Sequence, residues 1–429
     1  MQKFLDNLCS EDGEIVDKVM YDEYKYLLRV SCIYPKLNTS KWRKLSIIQF
    51  ILYLSCLLYH LIIFIITATK LKHDKTEMFQ SLHYLALAFM MTYIIIICNK
   101  NRKKNAQIHR GIATGLSGNQ NYDEEIKILK KPLVYKLRKK KKMFIQLLLT
   151  YFLTLPLIML LLEKYLNAYS DDYKEVLLSP NLPLTLWVPY DTNNLIGCST
   201  AIFLMASFCA LVAVIACTFD GTIFVICEYL AMEVKLLILS LNRLPERTLN
   251  LYRLRHGDNI NVSIETIKEN TNLSNCYRDC LKQNIIHHQN IIKKFYLCRK
   301  QIGLVLCLTL AMCAVIIAMS GVSLIRGEGK IGTRLVSALF CFVEILVCFF
   351  LVNCCSQITN ASEDLIHTLY STKWMSLNIN EVQMIRIMML RSQIPLLMSY
   401  RNITNFDYVT FTSIMNTAYS YFNLLLAFS

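Results

Sequence analysis

Two carboxylic acids stand inside long apolar stretches of this chain, Asp220 within Leu195–Cys227 and Glu344 within Leu335–Cys355. An acid in such a stretch must be protonated, paired or facing water, so each is a candidate for ligand or ion chemistry. Asp220 falls about 25 residues into its stretch, near the inner end, where simple hydration is the alternative reading. Glu344 falls ten residues into a stretch of about twenty, and there a structural partner or a role in ligand or ion passage both stay open. Cys276 and Cys280, followed by His287 and His288, supply metal-ligand atom types, but the spacing matches no common zinc site and the residues follow a helical pattern. No catalytic motif is evident, so we expect no enzyme, no metal and no cofactor. Near the C-terminus Thr410, Ser413, Asn416, Thr417, Ser420 and Asn423 recur at intervals of three and four, which puts them on one face of a helix. Leu424 and Ala427 continue that face. Such a stripe serves either hydrogen bonding between helices or a water-filled pore lined by this helix from several subunits.

The elements that must position these groups are membrane spans. The chain is 54% hydrophobic and only 18% charged, too apolar for a soluble protein with an ordinary charged surface. Its apolar residues are clustered into stretches long enough for a bilayer core of about 30 Å, which takes roughly 20 helical residues. Seven qualify, approximately Ser46–Thr69, Leu82–Cys98, Met143–Leu162, Leu195–Cys227, Ile302–Ile325, Leu335–Cys355 and Asp407–Phe428. The 45 residues ahead of the first are polar and charged, so no cleavable signal peptide is expected and the first span directs insertion. Of the 46 Lys and Arg, 38 lie in the N-terminal segment and the second, fourth and sixth loops. The positive-inside rule puts that side in the cytoplasm, and seven spans then put the C-terminus outside. The net charge of +15 is therefore a membrane-orientation signal. Even the run from Arg138 to Lys142 reads as an anchor near anionic lipid headgroups, and no nucleic-acid partner is expected.

On this topology all seventeen cysteines fall in spans or cytoplasmic segments and should be reduced. The sequons at Asn38, Asn261, Asn272, Asn360 and Asn402 also fall inside and should be unused; glycan on any one would invert the assignment. Helical spacing continues past the fourth span over Glu228–Leu244 and leads into the fifth over Leu273–Lys300. Further cytoplasmic helices are expected over Ala361–Tyr370 and Asn380–Arg391. These make a membrane-proximal bundle whose apolar stripe is a place for subunits to meet. The chain divides into a cytoplasmic segment 1–45, six spans with their loops over 46–355, anchor helices over 356–405 and a last span over 406–429.

Three stretches in the C-terminal half carry a resemblance. They are Thr218-Phe219-Asp220-Gly221-Thr222-Ile223-Phe224 with Glu228–Leu237; Ser362-Glu363-Asp364 through Leu369-Tyr370 to Trp374, then Met389 to Pro395; and Ala418 to Leu426. They resemble the fourth-helix signature, the sixth-loop pattern and the final pore helix of the insect odorant receptor family. Departures at the end of the chain bear on the subfamily. The odorant co-receptor typically ends in Tyr-Phe-Met-Val-Leu-Val-Gln, and gustatory receptors carry a Gln-Phe pair. The matching tail here runs from Tyr421-Phe422-Asn423 to Ala427-Phe428, with Ala where Gln would stand, which favours a ligand-tuning subunit.

The resemblance implies an all-α, inverted seven-helix subunit of a tetrameric, poorly selective cation channel in the plasma membrane of a sensory neuron dendrite. It implies heteromeric assembly with odorant co-receptor subunits and opening by a volatile apolar molecule. The pore would be lined by Ser413, Asn416, Thr417, Ser420, Asn423, Leu424 and Ala427, with Leu424 matching the family's hydrophobic gate residue. The pocket would lie in the outer halves of the second, third, fourth and sixth spans. Helix direction then selects His83, Tyr84, Leu87, Leu155, Met159, Thr200, Phe203, Leu204 and Phe340. The remaining classes are a gustatory-like channel, a G-protein-coupled receptor, which the inverted topology disfavours, and a transporter, for which no inverted repeat or paired broken spans are evident.

Overall fold

The computed structural model describes residues 40–72, 75–101, 104–105, 108, 128–147, 150, 186–257, 263–326 and 331–428. Its helices are α1 (Ser40–Lys70), α2 (Lys75–Lys100), α3 (residues 128–147), α4 (Leu195–Asn242), α5 (Leu244–His256), α6 (Thr271–Arg326), α7 (Ile331–Ser371), α8 (Ile379–Ser392) and α9 (Tyr408–Phe428). Five of these, α1, α2, α4, α6 and α7, are long and apolar enough to cross a bilayer. The 21-residue α9 has the length, about 32 Å, but with its stripe of hydroxyls and amides it is not one of those five. The third apolar stretch, Met143–Leu162, lies mostly outside the described residues.

Several helices run far past any membrane. With 48 and 56 residues, α4 and α6 measure about 72 and 84 Å at 1.5 Å per residue. The expected helices over Glu228–Leu244 and Leu273–Lys300 are continuations of the fourth and fifth spans. The segment Ala361–Tyr370, expected as a separate helix, is likewise the end of α7. No proline or glycine interrupts residues 356–371, so the backbone hydrogen bonding simply continues. A boundary between residues 355 and 356 thus falls in mid-helix.

The inner ends of these helices are pinned by buried polar groups. Glu233 on α4, fully buried, meets His287 Nε2 of α6 at 2.9 Å and Lys130 Nζ of α3 at 3.3 Å. Beyond it, Arg247 of α5 donates to Ser240 Oγ (2.6 Å), Asn284 Oδ1 (3.2 Å) and Gln283 Oε1 (2.8 Å). Charged groups are tolerated out of water when paired in this way. Cys276 and Cys280 pack with Leu244, Tyr252 and Ile385 in a second apolar cluster, while His287 is engaged by Glu233.

Between α8 and α9 the chain makes a two-stranded hairpin, Ser399–Tyr400 against Thr404–Asn405, antiparallel, with Ser399 opposite Asn405. Its turn places Arg401 and Asn402 at φ of 48° and 59°, the left-handed region. The hairpin seats closely on α6, where a Cβ at Gly303 would lie 3.1 Å from the Ser399 carbonyl oxygen. Asp407 then starts α9 by accepting the Thr410 amide on Oδ1 at 2.9 Å.

Candidate functional site

Four helices enclose a cavity of about 100 Å³. From α2 come Tyr84, Leu87, Met90, Met91 and Ile94; from α4, the face running from Phe208 to Asp220; from α6, Thr309 and Cys313; from α7, Phe340, Val343, Glu344 and Val347. On α4 the lining positions Phe208, Cys209, Val212, Ala213, Ala216, Phe219 and Asp220 repeat at three and four, as one helix face requires. The wall is almost wholly hydrocarbon and aromatic. Tyr84 and Phe340 meet edge to face with centroids 5.8 Å apart, and Phe64 packs against both Tyr84 (5.7 Å) and Phe208 (5.4 Å). Such edge-on and offset contacts are the favoured aromatic geometries and hold the wall in shape.

Of the pocket residues expected from sequence, Tyr84, Leu87 and Phe340 line this cavity. His83 stands just behind it, its ring 4.7 Å from that of Phe340 and its Nδ1 2.8 Å from Ser320 Oγ. Thr200, Phe203 and Leu204 do not reach it. Thr200 is exposed and returns its hydroxyl to the Ile196 carbonyl at 2.7 Å, Phe203 is 71% exposed, and Leu204 is half-buried. The reason is the overrun of α4: its first two turns carry the exposed Leu195 and Ile196, so the lining begins thirteen residues in, at Phe208. Leu155 and Met159 lie outside the described residues.

The same overrun relocates Asp220. Counting from Leu195 put it at the inner boundary, yet it shares the cavity with Glu344, near enough for the two carboxyls to interact electrostatically. Their place inside long apolar stretches had marked both as candidates for ligand or ion chemistry. Thr309, Met90 and Met91 had no such signal, because an apolar helix offers many equivalent side chains and only packing selects one face.

On α9 the expected stripe is open. Ser413, Asn416, Ser420 and Asn423 are exposed and Thr417 is half-buried, while Leu424 and Ala427 beyond them are exposed as well. Val409, Thr412, Ser413, Asn416, Thr417 and Ser420 together border an open groove. Thr417 and Ser420 return their hydroxyls to the carbonyls of Ser413 (2.8 Å) and Asn416 (2.9 Å), one turn earlier. The opposite face carries Phe411, Ile414, Met415 and the buried Ala418 into the main core. On that side α6 comes so close that a Cβ at Gly321 would lie 3.0 Å from the Phe422 ring. A polar helix face cannot be left against hydrocarbon without cost, so this one calls for water or for other subunits.

Comparison with known proteins agrees with this architecture. A family model described as 7tm Odorant receptor matches residues 74–419. Odorant receptor 46a, isoform B, of Drosophila melanogaster is 25% identical over 232 residues, which cover 53% of this chain and 55% of that relative. The chain thus spans little more than half the length of this curated relative. The olfactory receptor OR5 from Machilis hrabei matches in two solved structures, one of them in complex with eugenol. These align over 96% of this chain and 100% of theirs, with TM-scores of 0.65 and 0.66 at 12% and 13% identity.

Proposed function

Because the chain belongs to the insect odorant receptor family, we propose that it is the odorant-binding subunit of a heteromeric, poorly selective cation channel, opened by a volatile small molecule. In this reading the N-terminus is cytoplasmic, seven helices cross the plasma membrane of a sensory neuron, and co-receptor subunits complete the tetramer. The volatile occupies the cavity among α2, α4, α6 and α7, binding by shape and by apolar burial at about 25 cal/mol per Å². It opens the pore only insofar as it binds the open state more tightly than the closed one.

The single observation that carries the reading is the exposed polar stripe on α9, opposite a face packed into the subunit's own core. Repeated around an axis, the stripe makes a wet conduit, and Leu424 at its outer end makes an apolar ring. Such a ring blocks ions by dewetting, without any charge. The subunit contributes only part of that ring, so its substitutions tune conduction and do not abolish it.

The test is whole-cell recording from cells expressing this chain with a co-receptor. Volatiles should evoke an inward current reversing near zero, and Leu424→Ser should raise the current without ligand. Basal current and reversal potential unchanged by Leu424→Ser, Asn423→Ala and Ser420→Ala would remove this face from the pore. Tags at Met1 and after Ser429 test orientation separately: the first should stain only permeabilised cells, the second intact ones.

A further inference from the structure

The cavity is hydrocarbon on most of its surface, but its lining includes Asp220 from α4, Thr309 from α6 and Glu344 from α7. Asp220 is only 5% exposed. Thr309 is 4% exposed, and its Oγ1 has no hydrogen-bond partner among the described residues. Glu344 has the thiol of Cys313 beside it, a weak partner. No Lys, Arg or His is found among the described residues of the lining. Three oxygen-bearing side chains therefore line one small cavity with no cation among its described lining residues. A buried carboxyl is tolerated as the neutral acid or as an ion beside a positive charge, and unmet polar groups in such a place are expensive.

We propose that the ligand which fits this cavity is a small primary amine, bound as its ammonium against Asp220 and Glu344 with its hydrocarbon tail along Met90, Met91 and Phe208. This rests on the reading of the cavity as the ligand site. The ammonium offers three N–H donors, which matches the two carboxyls and the Thr309 hydroxyl; an alcohol offers one and an ester or ketone none. An amine arriving as the free base takes the proton of one acid: an O–H bond breaks, an N–H bond forms, and the resulting ammonium–carboxylate pair is neutral as a whole. The second acid stays protonated and donates its own hydrogen bond to that carboxylate. A metal ion would find too few ligands here, since hard cations take about six oxygens. Size is also bounded. An apolar cavity of about 150 Å³ accommodates benzene, so one of about 100 Å³ suits an amine of roughly five non-hydrogen atoms.

The experiment compares n-butylamine with 1-butanol, equal in length and differing in the head group. The full chain in lipid nanodiscs is melted over a concentration series of each at fixed pH, and the same compounds are applied in whole-cell recording with the co-receptor. Butylamine should raise the melting midpoint at about tenfold lower concentration than butanol, the margin between charge-assisted and neutral hydrogen bonds. Asp220→Asn with Glu344→Gln should erase that margin, and Thr309→Val should reduce it about threefold, the loss of one neutral hydrogen bond. If the double variant does not fold, the wild-type comparison and Thr309→Val decide. Equal potency of the two compounds, or a margin that survives the double variant, would overturn the proposal even where butanol evokes current. Butylamine binding with the expected margin, but no current from either compound, would sustain the ligand class and overturn the channel reading.

Discussion

The cavity and the outer face of α9 are both polar exceptions in an apolar protein, and they differ in completeness. The cavity is built within one chain: four helices line it and aromatic rings brace its wall, with Asp220 and Thr309 buried in it. The α9 stripe is unfinished, since Ser413, Asn416, Ser420 and Asn423 face outward with nothing of the same chain across from them among the described residues. The difference teaches what a single chain can complete by itself. On the proposed function, recognition would need one copy of this fold and conduction several. It also predicts that substitutions in closed regions are felt first as stability and those on the open face first as current.

The largest stability effect should come from the closed inner clamp. Glu233→Ala removes one partner each of the fully buried His287 and of Lys130, which should cost about 3–5 kcal/mol. The check is a melting curve together with the amount of protein at the cell surface, and a variant as stable as the parent would show that the clamp is not holding the inner helices.

Gly321→Val probes the seam between the two regions. The added side chain meets the Phe422 ring at 3.0 Å or less, so α9 must shift outward at about 1–3 kcal/mol. Recording would show altered basal current along with the lower melting point; a lower melting point alone would mean that α9 moves without consequence for the pore.

Leu87→Phe adds bulk where the cavity has room, so the stability cost should be near 1 kcal/mol. The ligand loses that room, and the concentration for half-maximal response should rise about tenfold, as for about 1.4 kcal/mol of lost binding. An unchanged dose–response curve would move the ligand elsewhere.

Ser420→Ala and Asn423→Ala should be the quietest in melting, within about 0.5 kcal/mol, because exposed side chains hold little together. Their effect should appear in the reversal potential under bi-ionic conditions. A large loss of stability from either would mean that the face is closed by something other than water.

The spans and the α9 stripe were legible because they are written in periodicity and composition. Helix period three to four with hydroxyl and amide side chains marks Thr410 to Asn423 whatever they pack against. The inner continuations of α4 and α6 were legible for the same reason, as apolar spacing that outlasts the membrane. The cavity was only half legible. Tyr84, Leu87 and Phe340 were found from helix direction, but Thr200, Phe203 and Leu204 were chosen by counting from the start of a span that begins above the packed region. Asp220 and Glu344 were visible as costly residues. That they share one cavity depends on the relative height of two helices, which neither sequence segment contains.

The length of α6 has a mechanical consequence. One unbroken helix touches the clamp at His287, the hairpin at Gly303, the cavity at Thr309 and Cys313, and the last helix at Gly321. From Thr309 to Gly321 is twelve residues, about 18 Å along its axis; from His287 to Thr309 is about 33 Å. Taken as rigid over such distances, the helix would act as a lever about its contact with the hairpin at Gly303. A tilt of 3° about Gly303 moves the helix about 0.5 Å at Thr309 and about 1.4 Å at Gly321, by the same 1.5 Å rise. On the reading of the cavity as the ligand site, a displacement made there would be enlarged by the time it reaches Phe422, and the arm held at His287 would set how stiffly the lever resists.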